Sequence, residues 1–184
     1  MSDAEPVLIR PVLIRPAVVQ DAARIAEVHV RSWQAAYRGL MPQDYLDGLD
    51  PADRLPRWQR QLSEPGSAGH EVLVADGDRG ICGFSSFGPT RDEDLGASQV
   101  GEIMAIYLAP EAFGTGVGRQ LMAASLERLA RARYVLATLW VLNSNARARR
   151  FYEIAGFRAD GAVMADDRGG FRLEEVRYRR SLRT

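Results

Sequence analysis

Residues 111–122, EAFGTGVGRQLM, set three glycines at every second position between a strand-like run and a helix-like run. Gly114, Gly116 and Gly118 let the backbone turn with its N–H groups pointing one way and no Cβ in front of an anion. The amphipathic run that follows adds unpaired N–H donors and the positive end of a helix dipole. Arg119, in the first turn, adds a charge-assisted donor. The stretch reads as a phosphate cradle, with a ligand-free glycine turn as the bland alternative. Spacing excludes two familiar phosphate loops. A Walker A loop needs a lysine after its last glycine, and all 24 basic residues here are arginine. A dinucleotide loop needs GxGxxG and an acid about twenty residues on, whereas GxGxG is followed there by apolar strand.

Working outward, QVGEIMAIYLAP is the strongest strand before the loop, closed by Pro110. After the loop, residues 116–133 stripe Met122, Leu126 and Leu129 against Arg119, Glu127, Arg128 and Arg131, the pattern of a surface helix. YVLATLWVL reads as a buried strand, and NARARRFYEIAGF as a helix stopped by Gly156. Two last strands, near 158–164 and 171–179, flank DDRGG. Upstream, EVLVAD, DGDRG and ICGFSSFG give strand, tight turn and strand. Residues 20–37 form a helix that Asp21 can cap, followed by helices near 42–49 and 53–62. The order is β-α-α-α-β-β-β-α-β-α-β-β, a mixed α/β domain.

The N-terminus repeats VLIRP in PVLIRPVLIRPA, a period far too short for a solenoid. The second copy, with Val12, Leu13 and Ile14, is expected to be the structural strand, ended or kept to an edge by Pro16. Residues 1–11 are then an extension or a lengthened first strand, and residues 12–184 a single domain. Formal charge is zero, so no global field favours nucleic acid or membrane. One cysteine, Cys82, excludes a disulfide framework, and two histidines cannot alone build a zinc site, so no metal is expected. No long apolar run opens the chain, so a cytoplasmic location is expected.

Here the sequence resembles the GNAT superfamily of N-acetyltransferases. IYLAP before FGTGVG is similar to that family's strand and glycine loop. Asn145, Ala148, Phe151, Tyr152, Gly156 and Phe157 match its N-x-x-A-x-x-F-Y-x-x-x-G-F signature, and VHVRSWQAAYRGLMPQDYLDGL looks like its first helical pair. The resemblance runs from about residue 13 to near the C-terminus. It implies an α/β (α+β) fold whose central mixed, mostly antiparallel sheet is flanked by helices. It also implies acetyl-CoA as acetyl donor, with pyrophosphate on the backbone of Gly114, Thr115, Gly116, Val117, Gly118 and Arg119. The pantetheine amides would pair with Ile106, Tyr107 and Leu108 like an added strand. One departure stands out: the family's Arg or Gln at the loop head is Phe113, which is expected to weaken or reshape phosphate binding. Members of the family are often dimers, which leaves a homodimer open.

Acetyl transfer to an amine needs a base for the amine, donors for the oxyanion and a proton for the departing thiolate. Glu102, in an otherwise apolar strand, matches the family's catalytic glutamate and is expected to act through water. Its plainer reading is a solvated strand-end glutamate. Asn145, Ala148 and Tyr152 share one helix face. On the resemblance Asn145 holds a pantetheine amide, Ala148 leaves room for the arm and Tyr152 is the acid. Trp33 and Tyr37, a turn apart, are expected to enclose the acceptor amine or simply to pack in the core. The acidic connector RDEDLG can attract an ammonium group or be a solvated loop. His29 reads as structural, His70 as exposed, and Cys82 as a buried strand residue with no paired base.

The leading expectation is an acetyl-CoA-dependent N-acetyltransferase that moves the acetyl group to a small-molecule or peptide amine by direct attack in a ternary complex. The alternative is a catalytically silent CoA-binding module. A nucleic-acid binder resting on the RYRRSLR tail is disfavoured by the zero net charge.

Overall fold

A computed structural model describes residues 12–64, 69–168 and 170–183, and the side chains of 166–168 are outside that description. The first VLIRP copy lies outside the described residues. The second forms β1 (Leu13–Pro16), an edge strand that tolerates Pro16 because its outer N–H side has no neighbour. A 3-10 turn at Val19–Asp21 leads into α1 (Ala22–Ala36). Asp21 does not cap α1 with its side chain. Its carboxylate instead accepts from the Val18 N–H at 2.9 Å and from Arg15 at 2.7 Å, because a guanidinium outcompetes a neutral helix N–H.

Next come α2 (Gln43–Asp47) and α3 (Pro51–Ser63), the latter capped by Asp50 and started by Pro51. The chain continues through β2 (Glu71–Gly77), β3 (Gly80–Pro89), β4 (Val100–Leu108), α4 (Val117–Arg131), β5 (Leu136–Leu142), α5 (Ala146–Ile154), β6 (Arg158–Arg168) and β7 (Phe171–Ser181). The last two strands are longer than the sequence pattern suggests, and β6 runs through most of DDRGG.

The seven strands form one sheet in the order β1-β2-β3-β4-β5-β7-β6. Every neighbouring pair is antiparallel except β4 with β5. One face packs on α4 and α5 through Leu121, Met122, Leu129 and Phe157. The other packs on α1 and α3 through Ile25, Val28, Trp58 and Phe84. A third cluster, around Trp33, Leu46, Leu142 and Leu173, closes the α2 end.

Two irregularities of β4 shape the molecule's centre. It pairs with β5 only at Val100↔Leu136, Gly101↔Ala137 and Glu102↔Thr138, and the two strands run unpaired from there. Against β3, Phe87 faces Ile103 but Ser86 faces Ala105, so Met104 is a bulge. Side chains alternate along a strand, and one extra residue reverses which face comes next. Gly101 therefore faces Leu129 of α4 and Glu102 the opposite side, and beyond the bulge it is Tyr107 that shares the side of Glu102.

Candidate active site

Where β4 and β5 part, a cavity of about 1000 Å³ opens through the sheet. One end reaches the glycine loop. Gly114 and Gly116 adopt φ of 78° and 90°, left-handed values with open space where a Cβ would point, so conformation requires glycine there. Gly118 is needed for close approach, since a Cβ would lie 3.3 Å from Leu108 and 3.5 Å from Phe151. Among the described residues, the N–H groups of Gly114, Gly116, Val117 and Gly118 donate to no backbone carbonyl. These are orphan donors at the start of a fifteen-residue helix, a nest suited to a polyanion.

The expected binding residues divide. Gly114, Gly116, Gly118, Arg119, Ile106, Tyr107, Leu108, Asn145 and Ala148 all line the cavity. Val117 turns its side chain into the core, and the Thr115 hydroxyl donates to the Ala112 carbonyl at 2.8 Å. Neither side chain faces the cavity, which leaves the Val117 N–H as that residue's contribution. Asn145 is buried with its Oδ1 accepting from the Ala148 N–H at 3.0 Å, capping α5, so its amide N–H donors and one oxygen lone pair remain for a ligand. Phe113, at the loop head, carries the Arg147 guanidinium 4.3 Å from its ring centroid. A positive charge thus returns beside the loop from α5, a contact that no local pattern announced.

At the other end stand Trp33 and Tyr37, with ring centroids 5.0 Å apart. His29 lines the same wall and stacks on Tyr107 at 5.0 Å. His70, expected to be exposed, is half-buried against Gly88 and lines the cavity. Tyr152 enters from α5, and burial, then the nearby Tyr107 and Glu175, push its phenol well above the ordinary value. Burial raises Tyr37 as well, followed by Tyr107. Sequence reasoning passed over Glu175, opposite Leu142 in the β5–β7 ladder. Only the strand parity of β7 could have pointed to it.

Glu102 is 1 % exposed and lines the cavity. It accepts from the Arg91 backbone N–H at 3.0 Å and from the Arg91 guanidinium through both oxygens. That rules out a solvated strand-end residue. Of the three acids in the connector holding Arg91, only Glu93 stands exposed without an ion pair among the described residues. Asp92 and Asp94 are pinned by Arg177 of β7, which also binds Asp160, so they are not free to draw in an ammonium group.

The raised phenols give an alkaline limit to stability. Both states hold these protons below about pH 10, where an exposed tyrosine titrates. Above it the unfolded chain ionises while half-buried Tyr37 and Tyr152 resist, so stability is lost as pH rises toward their folded values. Circular dichroism should show alkaline unfolding beginning above about pH 10, and the Tyr37→Phe, Tyr152→Phe double variant should unfold at higher pH. An unmoved midpoint would count against these phenols as the cause.

The sheet with one parting parallel pair, and the glycine nest beside it, define the class: the chain belongs to the acetyltransferase (GNAT) family, whose model matches residues 30–157. Among relatives, it is 37% identical to the uncharacterized N-acetyltransferase YuaI of Bacillus subtilis over 69% of each chain. PaiA N-acetyltransferase from Thermoplasma acidophilum, in complex with coenzyme A, superposes with a TM-score of 0.70 at 19% identity, covering 92% of this chain and 98% of that one. YncA from Salmonella typhimurium, with its cofactor acetyl-CoA, gives 0.69 at 24% identity over 94% and 95%. These two likenesses concern the fold.

Proposed function

We propose that this protein transfers an acetyl group from acetyl-CoA to an amine within a ternary complex. The observation carrying the proposal is the parted β4–β5 pair, with the loop's orphan N–H groups at one end and the Tyr152 phenol at the other. The donor supplies an acetyl thioester. Its pyrophosphate suits the N–H groups of Gly114, Gly116, Val117 and Gly118 with Arg119 and Arg147, and its amides suit the unpaired edge of β4 at Ile106 to Leu108. The structural neighbours with coenzyme A and acetyl-CoA support this choice of ligand.

In transfer, a C–N bond forms as the C–S bond breaks, and two protons must move. Glu102 takes the amine proton through a water, and Tyr152 gives its proton to the departing sulfur, regaining one from solvent. A backbone N–H of the β4 edge faces the charge developing on the carbonyl oxygen. Arg91 occupies both Glu102 oxygens, so it must give up at least one before the carboxylate can take a proton. Its side chain is 60% exposed, free on one side to swing away when an acceptor arrives.

Glu102→Gln should lower kcat at neutral pH by about a hundredfold if proton removal limits the rate, with the deficit shrinking toward the amine's own pKa. A pH-independent deficit would assign Glu102 to structure alone. For the loop, Arg147→Gln should raise the acetyl-CoA Kd about tenfold, the worth of one charge-assisted bond. Phe113→Gln, which removes the platform under Arg147, should cost about threefold, the reverse of what the sequence alone leads one to expect of that departure. Calorimetry showing no change in either would leave the phosphates to the backbone and make the Phe113 departure neutral.

A further inference from the structure

The acceptor side of the cavity carries charge that the reaction above does not use. Arg54, Arg57 and Arg60 follow one another at three-residue intervals on α3, and all line the cavity. Arg54 is half-buried, with its guanidinium 5.6 Å from the Trp33 ring centroid. Elsewhere in the chain Arg15, Arg24, Arg31, Arg128 and Arg177 each hold a carboxylate. Among the described residues Arg54, Arg57 and Arg60 form no ion pair, although Asp53 and Glu64 lie close in sequence. Three cations line one cavity with Glu64 nearby but no ion pair to neutralise them, which leaves their charge for something that enters it.

The reacting end has the opposite sign. Glu175 stands on the sheet face of Leu173 and Arg177, opposite Leu142, and lines the cavity together with Tyr152. It shares the cavity with Tyr37 and with Tyr152, the phenol proposed to face the leaving sulfur, and it helps to keep both phenols protonated. Trp33 and Tyr37 connect the two ends as an aromatic wall.

We infer that the acceptor is an amino-acid-like zwitterion, with its ammonium seated by Glu175 beside Tyr152 and its carboxylate or phosphonate taken by Arg54 and Arg57. The inference rests on the acetyl-transfer reading of this cavity. Glu175 here is a binding group, with proton removal left to Glu102. A diamine would set its far charge against the α3 arginines, and a simple alkylamine would leave them facing water.

The test separates binding from turnover. Protein saturated with coenzyme A is titrated in a calorimeter with amino acids of increasing length, from glycine through β-alanine and γ-aminobutyrate, each beside its matching alkylamine and diamine. At the best length the acid should bind about tenfold more tightly than either partner, and added salt should erode that preference. Arg54→Gln with Arg57→Gln should bring the preference to within about threefold while leaving the acetyl-CoA Kd unchanged. Equal affinities, or a preferred diamine at every length, would overturn the inference. Thiol release is read separately on the same compounds. If the acids bind preferentially but nothing releases thiol, the acceptor site stands and acetyl transfer falls.

Discussion

Tyr152→Phe should lower kcat about a hundredfold or more, the usual worth of a positioned acid, and leave the acetyl-CoA Kd within about twofold. Phenylalanine keeps the ring, so α5 and its contacts with Phe151 and Phe157 should survive. Only the hydroxyl is lost. That hydroxyl is protonated at any working pH because burial opposes phenolate formation. The same burial makes it a reluctant acid, so its hydrogen bond to sulfur must strengthen as negative charge develops there. Thiol-release kinetics on the variant distinguish the cases. An unchanged kcat removes Tyr152 from the chemistry, and a Kd increase equal to the activity loss recasts it as a binding residue.

Arg177→Met should be the most destabilising single change described here, by about 3 kcal/mol, with Tm falling by roughly 6–12 °C. The guanidinium meets Asp94 through two bonds of 2.7 and 2.8 Å, Asp160 at 2.8 Å and Asp92 at 3.2 Å. Asp160 and Asp92 are largely buried, at 4% and 14% side-chain exposure, and would keep their charges with no cation to balance them. Adding Asp92→Asn and Asp160→Asn should recover part of the loss, since neutral amides cost less to leave unpaired. Asp92 also accepts from the Trp140 indole at 3.0 Å, which ties the connector to β5. The same connector carries Arg91 onto Glu102, so the variant should also show a changed pH profile. A stability change below about 1 kcal/mol would mean the cluster contributes no more than a surface ion pair.

Elements with a local cause were legible in the sequence. The glycine spacing, the apolar stripe of Met122, Leu126 and Leu129, and the shared face of Asn145, Ala148 and Tyr152 follow from periodicity and backbone freedom within a few residues. The resemblance to the GNAT family then supplied the proposed ligand and the proposed roles. Features made by residues distant in sequence were not legible. The Met104 bulge is a mismatch of register between β3 and β4, and neither strand shows it alone. Without it Glu102 and Tyr107 would face opposite sides of the sheet. Asp21 satisfies every rule for a helix cap, yet it is taken by Arg15. RDEDLG reads as a solvated acidic loop because its partner, Arg177, lies 83 residues beyond Asp94. Asn145 has an amide for a ligand, but part of it is used locally in capping α5.

The central claim, acetyl transfer by direct attack, is tested most directly by single-turnover thiol release from acetyl-CoA with and without an amine acceptor. The account predicts negligible release without amine, and with amine one free thiol for each N-acetyl product found by mass spectrometry. Acetyl-CoA that binds but releases no thiol with any amine would contradict it in favour of a silent CoA-binding module. A burst of thiol without amine would contradict it in favour of an acetylated enzyme.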